Sequence, residues 1–437
     1  MRLRLAASVS LVISVLAGTA CSSSKGTTSP AIDTDAGAGT TGTTELLAPP
    51  PAGQGIQYRM VSSLEPSQEI ERVQFFQVPP EGLYVNREEV RYTPGSHHVL
   101  IYKTPYTSIP TVDERGKTHD TSGPIDAPNG GTGDWKIDGV VAGAQSANAP
   151  PVVNGLPPDV AVKIEGGTVL LMNTHYINAS AKTLTVDARV NMWTIPKEQV
   201  KQEAGIIFFY DPIIRIAAHS AGYAEMACPV NSDITVVNLQ THMHARGLGG
   251  QAFVIPPGGT AAPEMIYESK NWEEVPVKTF APNMAIKAGS TLDYHCNYQN
   301  DEDHTIVQGP TTKDEMCMIL GVYYPRDAKT ELCSSDGTYD GFSRAGTWYG
   351  KDGTKTCGQS LACLQTANTE DTAYACLLAV CRPGTAALDD VAQCFLGGQS
   401  ACKTKCAADA DPSTCAQSCI QAACGAKQAT CQATACQ

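Results

Sequence analysis

Six residues spread along the chain have side chains suited to binding a soft metal ion: the adjacent His97 and His98 with His175, and His242 and His244 with Met316. An HxH pair accompanied by a thioether points to copper, because soft sulfur donors select Cu(I) over zinc or magnesium. The six read as two separate copper sites, and the chemistry they imply is copper redox chemistry.

Each member also has an ordinary reading. His242 and His244 lie in ITVVNLQTHMHARG, which alternates as a strand does, so residues two apart share a face and can share one metal. They could equally be two surface histidines on an exposed strand face. His97 and His98 would diverge in a regular strand and can reach one ion only where the backbone is irregular or the strand ends, a context that Pro94 and Gly95 supply. His175, near the end of the apolar run VLLMNTHYIN, also reads as a hydrogen-bonded core residue, and Met316 as a core methionine. Alternation provides a check: if Met316 faces a metal, Cys317 faces the other way and needs a disulfide partner, for which Cys296 is the nearest candidate.

Strands are the elements that must position these residues. From about 55 to 330, short apolar segments recur between turn residues, among them VQFFQVP, HHVLIYK, GTVLLMNTHYIN, LTVDARVNMWTI, GIIFFYDPIIRI, ITVVNLQTHMH, STLDYHCNY and MCMILGVYYP. Their Val, Ile, Tyr and Phe content and their punctuation are those of β-sandwiches. At 437 residues the chain exceeds what one core usually holds. The polar stretch WTIPKEQVKQEAG separates two strand-rich blocks, each with one ligand set, so the expected sandwiches span residues 55–200 and 201–335.

After about 345 the character changes, because residues 357–436 hold 12 cysteines among Ala and Gln with few large apolar side chains. Disulfides must replace a core there, and Cys402 to Cys406 and Cys415 to Cys419 place thiols one helical turn apart. Asp411 and Pro412 read as an N-cap and first helical residue. Residues 350–437 are therefore expected to be a disulfide-stapled helical region, with zinc ligation as the competing reading that export disfavours.

Export is indicated by residues 1–21, MRLRLAASVSLVISVLAGTAC, a signal peptide with early arginines and a short apolar run. The run VLAGTAC before SSSKG resembles a bacterial lipoprotein signal in which Cys21 is lipidated; ordinary cleavage nearby is the alternative. Residues 22–54 have little to bury and read as a flexible linker. Setting Cys21 aside leaves 16 of the 17 cysteines able to pair in an oxidising compartment. The expected location is the periplasm, outer membrane or cell surface, with membrane contact only through the anchor. A net charge of −13 argues against a phosphate-binding surface and hence against a nucleic-acid partner.

HHVLIY, then HY, then HxH, then EMC occur in the order and approximate spacing of the copper type II, ascorbate-dependent monooxygenases, a family that includes peptidylglycine α-hydroxylating monooxygenase and dopamine β-monooxygenase. The chain resembles that family over residues 55 to 335. The resemblance implies two jelly-roll-like β-sandwich domains facing each other across a solvent-filled cleft, with one mononuclear copper on each. His97, His98 and His175 would match the electron-storing copper, and His242, His244 and Met316 the catalytic copper that binds dioxygen and substrate. It further implies ascorbate or another reductant as co-substrate and hydroxylation of a C–H bond. It maps the family's second-domain disulfides to Cys228 with Cys333 and Cys296 with Cys317.

The chain departs from the family in two places. No cysteine lies between Cys21 and Cys228, so the first sandwich depends on packing alone. Where the peptidylglycine enzyme grips its peptide with Arg, Asn and Tyr, this chain has Gln240, Met318 and Leu320, which argues for an uncharged or aromatic small molecule. Two competing functions remain open in the sequence: a non-catalytic copper-buffering lipoprotein on the same scaffold, and a cupin-like iron oxygenase in which His242, His244 and Glu315 form a facial triad. His119, His219, His295 and His304 are expected in surface or hydrogen-bonding roles, and the acceptor motif Asn178-Ala179-Ser180 is expected to be idle.

Overall fold

The computed structural model describes residues 47–436 except 95, 129–130, 146–151, 260–261, 310 and 335–345; the side chains of 96, 97, 152–154, 370, 396, 397, 399 and 400 also lie outside the description. Cys21, the signal segment and most of the expected linker fall outside it. The described fold is mainly β, with a helical, disulfide-rich C-terminal region.

The first half contains β1 (Gly55–Leu64), β2 (Glu69–Gln77), β3 (Leu83–Tyr92), β4 (Ser96–Lys103), β5 (Ile125–Asp126), β6 (Gly139–Ala144), β7 (Val152–Gly155), β8 (Val160–Ile164), β9 (Val169–Ile177) and β10 (Leu184–Thr194). One sheet runs β5-β2-β9-β4-β6, and β1-β10-β3-β8 forms the opposing layer. The core between them is built from Tyr58, Met60, Val90, Val99, Ile101, Leu170, Met172, Val190 and neighbours. β9 is buried along nearly its whole length, which its unbroken apolar run allows, whereas β1 alternates buried and exposed positions as a half-covered strand does. Residues 47 and 48 lie against this layer, their carbonyls accepting from Gln57, Arg189 and Asn191.

The second half contains β11 (Gln202–Asp211), β12 (Arg215–Ile216), β13 (Ser220–Pro229), β14 (Ile234–His242), β15 (Gly247–Ile255), β16 (Glu264–Ser269), β17 (Lys278–Ile286), β18 (Thr291–Asn300), β19 (Ile306–Val307), β20 (Cys317–Tyr324), the short helix α1 (Ala328–Glu331), β21 (Leu332–Ser334) and β22 (Thr347–Tyr349). Sheet β16-β15-β18-β13-β22 faces β11-β20-β14-β17. Their shared core includes Ile207, Phe209, Met226, Val236, Leu239, Tyr294 and Ile319. The disulfides Cys228–Cys333 and Cys296–Cys317 form inside it. The halves are continuous at one point, where β8 pairs in parallel with the start of β11.

Beyond β22, α2 (Cys357–Thr366), α3 (Glu370–Leu378), α4 (Arg382–Cys406) and α5 (Pro412–Ala433) carry six disulfides, with Asp411 capping α5 by accepting from the Thr414 N–H. α4 docks on β13 through Arg382, which pairs with the buried Glu225 and lies over the Tyr349 ring. Beside Glu225, burial and that neighbouring charge push Asp293 from 3.8 to about 7, with Arg382 opposing. The folded chain thus keeps a proton that the unfolded chain releases as pH rises from 3.8 to about 7. This group's stabilisation is full below that window and lost through it. Asp293→Asn is expected to flatten the melting-temperature profile over this window; profiles of variant and wild type that stay parallel would refute the assignment.

Candidate metal centre

The two histidine sets arrive on neighbouring strand ends. In β4 the register with β9 shifts between Ser96 and His98, so His97 sits at a bulge, the irregularity that lets adjacent residues turn to one side. The His97 side chain lies outside the described residues. His98 pairs directly with His175 on β9, their ring centroids 5.6 Å apart. His242 ends β14 and His244 follows it, with centroids 5.2 Å apart. The two groups meet rather than stand across open solvent: His98 is 5.9 Å from His242, centroid to centroid.

All four rings are buried, and each has one nitrogen held by an oxygen. His98 Nε2 meets Asn173 Oδ1 at 2.7 Å, and the Asn173 amide nitrogen donates to Glu71 and to the Gly131 carbonyl, which fixes the amide's orientation. That oxygen can only accept, so His98 carries its proton on Nε2. His175 Nε2 meets Glu69 Oε1 at 3.0 Å, and this contact holds the Glu69 carboxyl down at about 2, ionised and accepting. His242 Nδ1 lies 2.6 Å from Gln145 Oε1, and His244 Nδ1 lies 3.2 Å from the Asp314 carbonyl. When neutral, rings so held would direct their lone pairs through Nδ1 in His98 and His175 and through Nε2 in His242 and His244. Burial lowers His98, and pushes His244 down to about 3, keeping both in the neutral form that binds metals.

Met316 precedes β20 and packs with Tyr210, Met318, Leu320 and Phe208, while Cys317 faces the opposite way into the core. Its carbonyl accepts from the buried Tyr298 hydroxyl at 2.8 Å. Glu315, fully buried, accepts from the backbone N–H groups of His244 at 2.9 Å and Arg246 at 2.7 Å, tying the methionine segment to the HxH turn. Burial pushes its carboxyl up to about 7. Among the described residues no three His, Cys, Asp or Glu side chains converge to hold a metal, so the iron triad of His242, His244 and Glu315 does not form. Each copper set draws on a donor outside that count: the His97 ring or the Met316 thioether. In donor type, burial and imposed tautomer the residues fit copper.

Alternation could have found Asn173, two residues before His175 on β9, but not Glu69, Gln145 or Asp314. Of the remaining histidines, His119 bonds Asp113, His219 bonds Asp303, His295 bonds Gln251, and His304 lies near Glu302. Asn178 is buried, its amide donating to three backbone carbonyls, so it is closed to modification.

Two solved structures with partial likeness are the major capsid protein P2 of bacteriophage PM2 (10% identity, 62% of this chain and 99% of that one, TM-score 0.26) and an archaeal-virus protein described by its triple jelly-roll fold (7% identity, 65% and 62%, TM-score 0.17). Likeness this weak carries no argument. Residues 203–345 match the family model of the copper type II ascorbate-dependent monooxygenase, C-terminal domain. That segment holds His242, His244 and Met316, and over it the chain is similar to the copper type II ascorbate-dependent monooxygenase family.

Proposed function

We propose that the protein hydroxylates a C–H bond of a small, uncharged organic substrate, using two mononuclear coppers, dioxygen, and ascorbate or another reductant. One oxygen atom enters the substrate and the other leaves as water, with two electrons from the reductant. The observation that carries this reading is the group of buried imidazoles, each with one nitrogen bound to an acceptor oxygen, beside a thioether on the segment that matches the family.

His97, His98 and His175 would hold the electron-storing copper, and His242, His244 and Met316 the catalytic one. Bound copper supplies one-electron transfer and the activation of dioxygen. Asn173 and Glu69 hold the Nε2 protons of His98 and His175, and the Asp314 carbonyl holds the Nδ1 proton of His244. The Met316 thioether favours the reduced ion. Substrate would lie along the sheet face that begins at His242, where His242 registers with Met318 and Met318 with Tyr210, and Gln240 registers with Leu320 and Leu320 with Phe208. That strip is apolar but for Gln240 and the Tyr210 hydroxyl and carries no cation, which suits an uncharged or aromatic molecule better than a carboxylate.

The eight disulfides take up every cysteine but Cys21, which supports an exported protein anchored through that residue. The test is a metal count by mass spectrometry with an ascorbate-driven screen of neutral aromatic and aliphatic substrates. The expected result is two coppers per chain with product formed in step with oxygen uptake. One iron per chain, or copper loading without turnover of any substrate, would reject the reading.

A further inference from the structure

We infer that Gln145, at the end of β6 in the first half, is a positioning residue for His242 in the second. This rests on the copper reading above and assigns a residue to it. Gln145 is buried, and its amide reaches across the junction between halves. Nε2 donates to the Thr241 carbonyl at 2.5 Å and to Gln240 Oε1 at 3.1 Å. A backbone carbonyl can only accept, so this contact fixes which end of the amide is nitrogen. The other end, Oε1, therefore lies 2.6 Å from His242 Nδ1 and must accept from it.

One side chain thus does three things at the end of β14. It sets the His242 tautomer so that the lone pair sits on Nε2, it fixes the ring about its χ angles, and it ties the strand's last peptide to the opposite half. Oxygen acceptors behind a metal-binding imidazole orient the ring and raise its basicity, and losing one costs roughly 10–100-fold in affinity or activity. Asp314, which does this for His244, comes from the same half as its histidine, whereas Gln145 does not. The second ligand set is therefore fully oriented only while the halves are apposed. Thr312 reaches the other way, donating to Glu69 at 2.6 Å behind His175, so each half supports a histidine of the other.

The test begins on the metal-free protein. Long-range 1H–15N spectra of histidine-labelled wild type, with His242 assigned by its loss in His242→Gln, should show a protonated Nδ1 and an unprotonated Nε2. A protonated Nε2 would overturn the inference. Gln145→Met keeps the side-chain length and removes both contacts. It should give mixed His242 tautomers and weaken Cu(I) binding at the second set by roughly 10–100-fold in chelator competition, leaving the first set unchanged. Gln145→Glu loses the donor to Thr241 but keeps an acceptor for His242 Nδ1, and should restore the tautomer and part of the affinity. Met and Glu variants that behave alike, or a Met variant with wild-type affinity, would overturn it. Should Gln145→Met fail to fold, the wild-type spectrum decides. If the tautomer is as stated but wild type binds no copper, the monooxygenase reading fails and the positioning of His242 stands.

Discussion

Met316→Ile is expected to abolish turnover while the protein remains folded. Met316 is only partly buried, in a small apolar cluster with Tyr210, Met318 and Leu320, and its segment is held through its backbone by Tyr298 and through Glu315. An isoleucine of similar volume keeps that packing at a cost below about 1.5 kcal/mol. The loss is chemical: the soft sulfur that selects Cu(I) is gone, and His242 and His244 alone do not complete a ligand set. Since groups one shell out from a metal cost roughly 10–100-fold, removal of a ligand should exceed ~100-fold in kcat/KM. X-ray absorption of the reduced protein should show a sulfur scatterer in wild type and none in the variant. Turnover within tenfold of wild type, or an unchanged sulfur signal, would remove Met316 from the site.

Four of the ligand candidates were legible in the sequence because their relation is local, a period of two in ITVVNLQTHMH and an adjacent pair after Pro94 and Gly95, whereas His175 and Met316 gained weight only from these companions and from the family resemblance. What holds them was not, because those relations run across the fold. Glu69 reaches His175 from a neighbouring strand 106 residues earlier, and Gln145 reaches His242 across 97 residues, in a segment with no periodic signal. The same limit applies to the elements. β9 stands out as an unbroken apolar run, but β3, LYVNREEVRY, is too polar for that test. Its Asn86, Glu88 and Glu89 are satisfied by Pro157 and Val160 carbonyls, by the Gly143 N–H and by the Trp193 indole, partners 55 to 104 residues away, some of them outside the strands it pairs with. In β13, the buried Glu225 is paired with Arg382, which arrives from α4, 157 residues later. Composition placed the helices and their staples by the density of cysteines; it could not choose among the pairings, which depend on how α4 and α5 lie together.

Within that helical region, Cys357→Ser with Cys431→Ser should have the largest effect of any single bridge. The bond joins the start of α2 to the end of α5 across 74 residues, and both cysteines are fully buried. Closing a loop of that length removes unfolded-chain entropy equivalent to about 4.4 kcal/mol, whereas Cys406–Cys415, separated by 9 residues, contributes about 2.6 kcal/mol by the same relation. The local core is small, with Leu361, Leu377, Phe395 and Ile420 packed with Tyr374, Trp348 and the cysteines themselves. The doubly substituted protein is expected to lose the helical region first, seen as a fall in helical circular dichroism and as protease cuts confined to residues 350–437. The two sandwiches carry their own cores, the second with two disulfides of its own, and should stay folded and bind copper as before. The matching Cys406→Ser with Cys415→Ser protein should lose less. Equal stabilities for the two double variants, or a Cys357/Cys431 variant within about 1 kcal/mol of wild type, would show that packing and not chain closure holds the helices together.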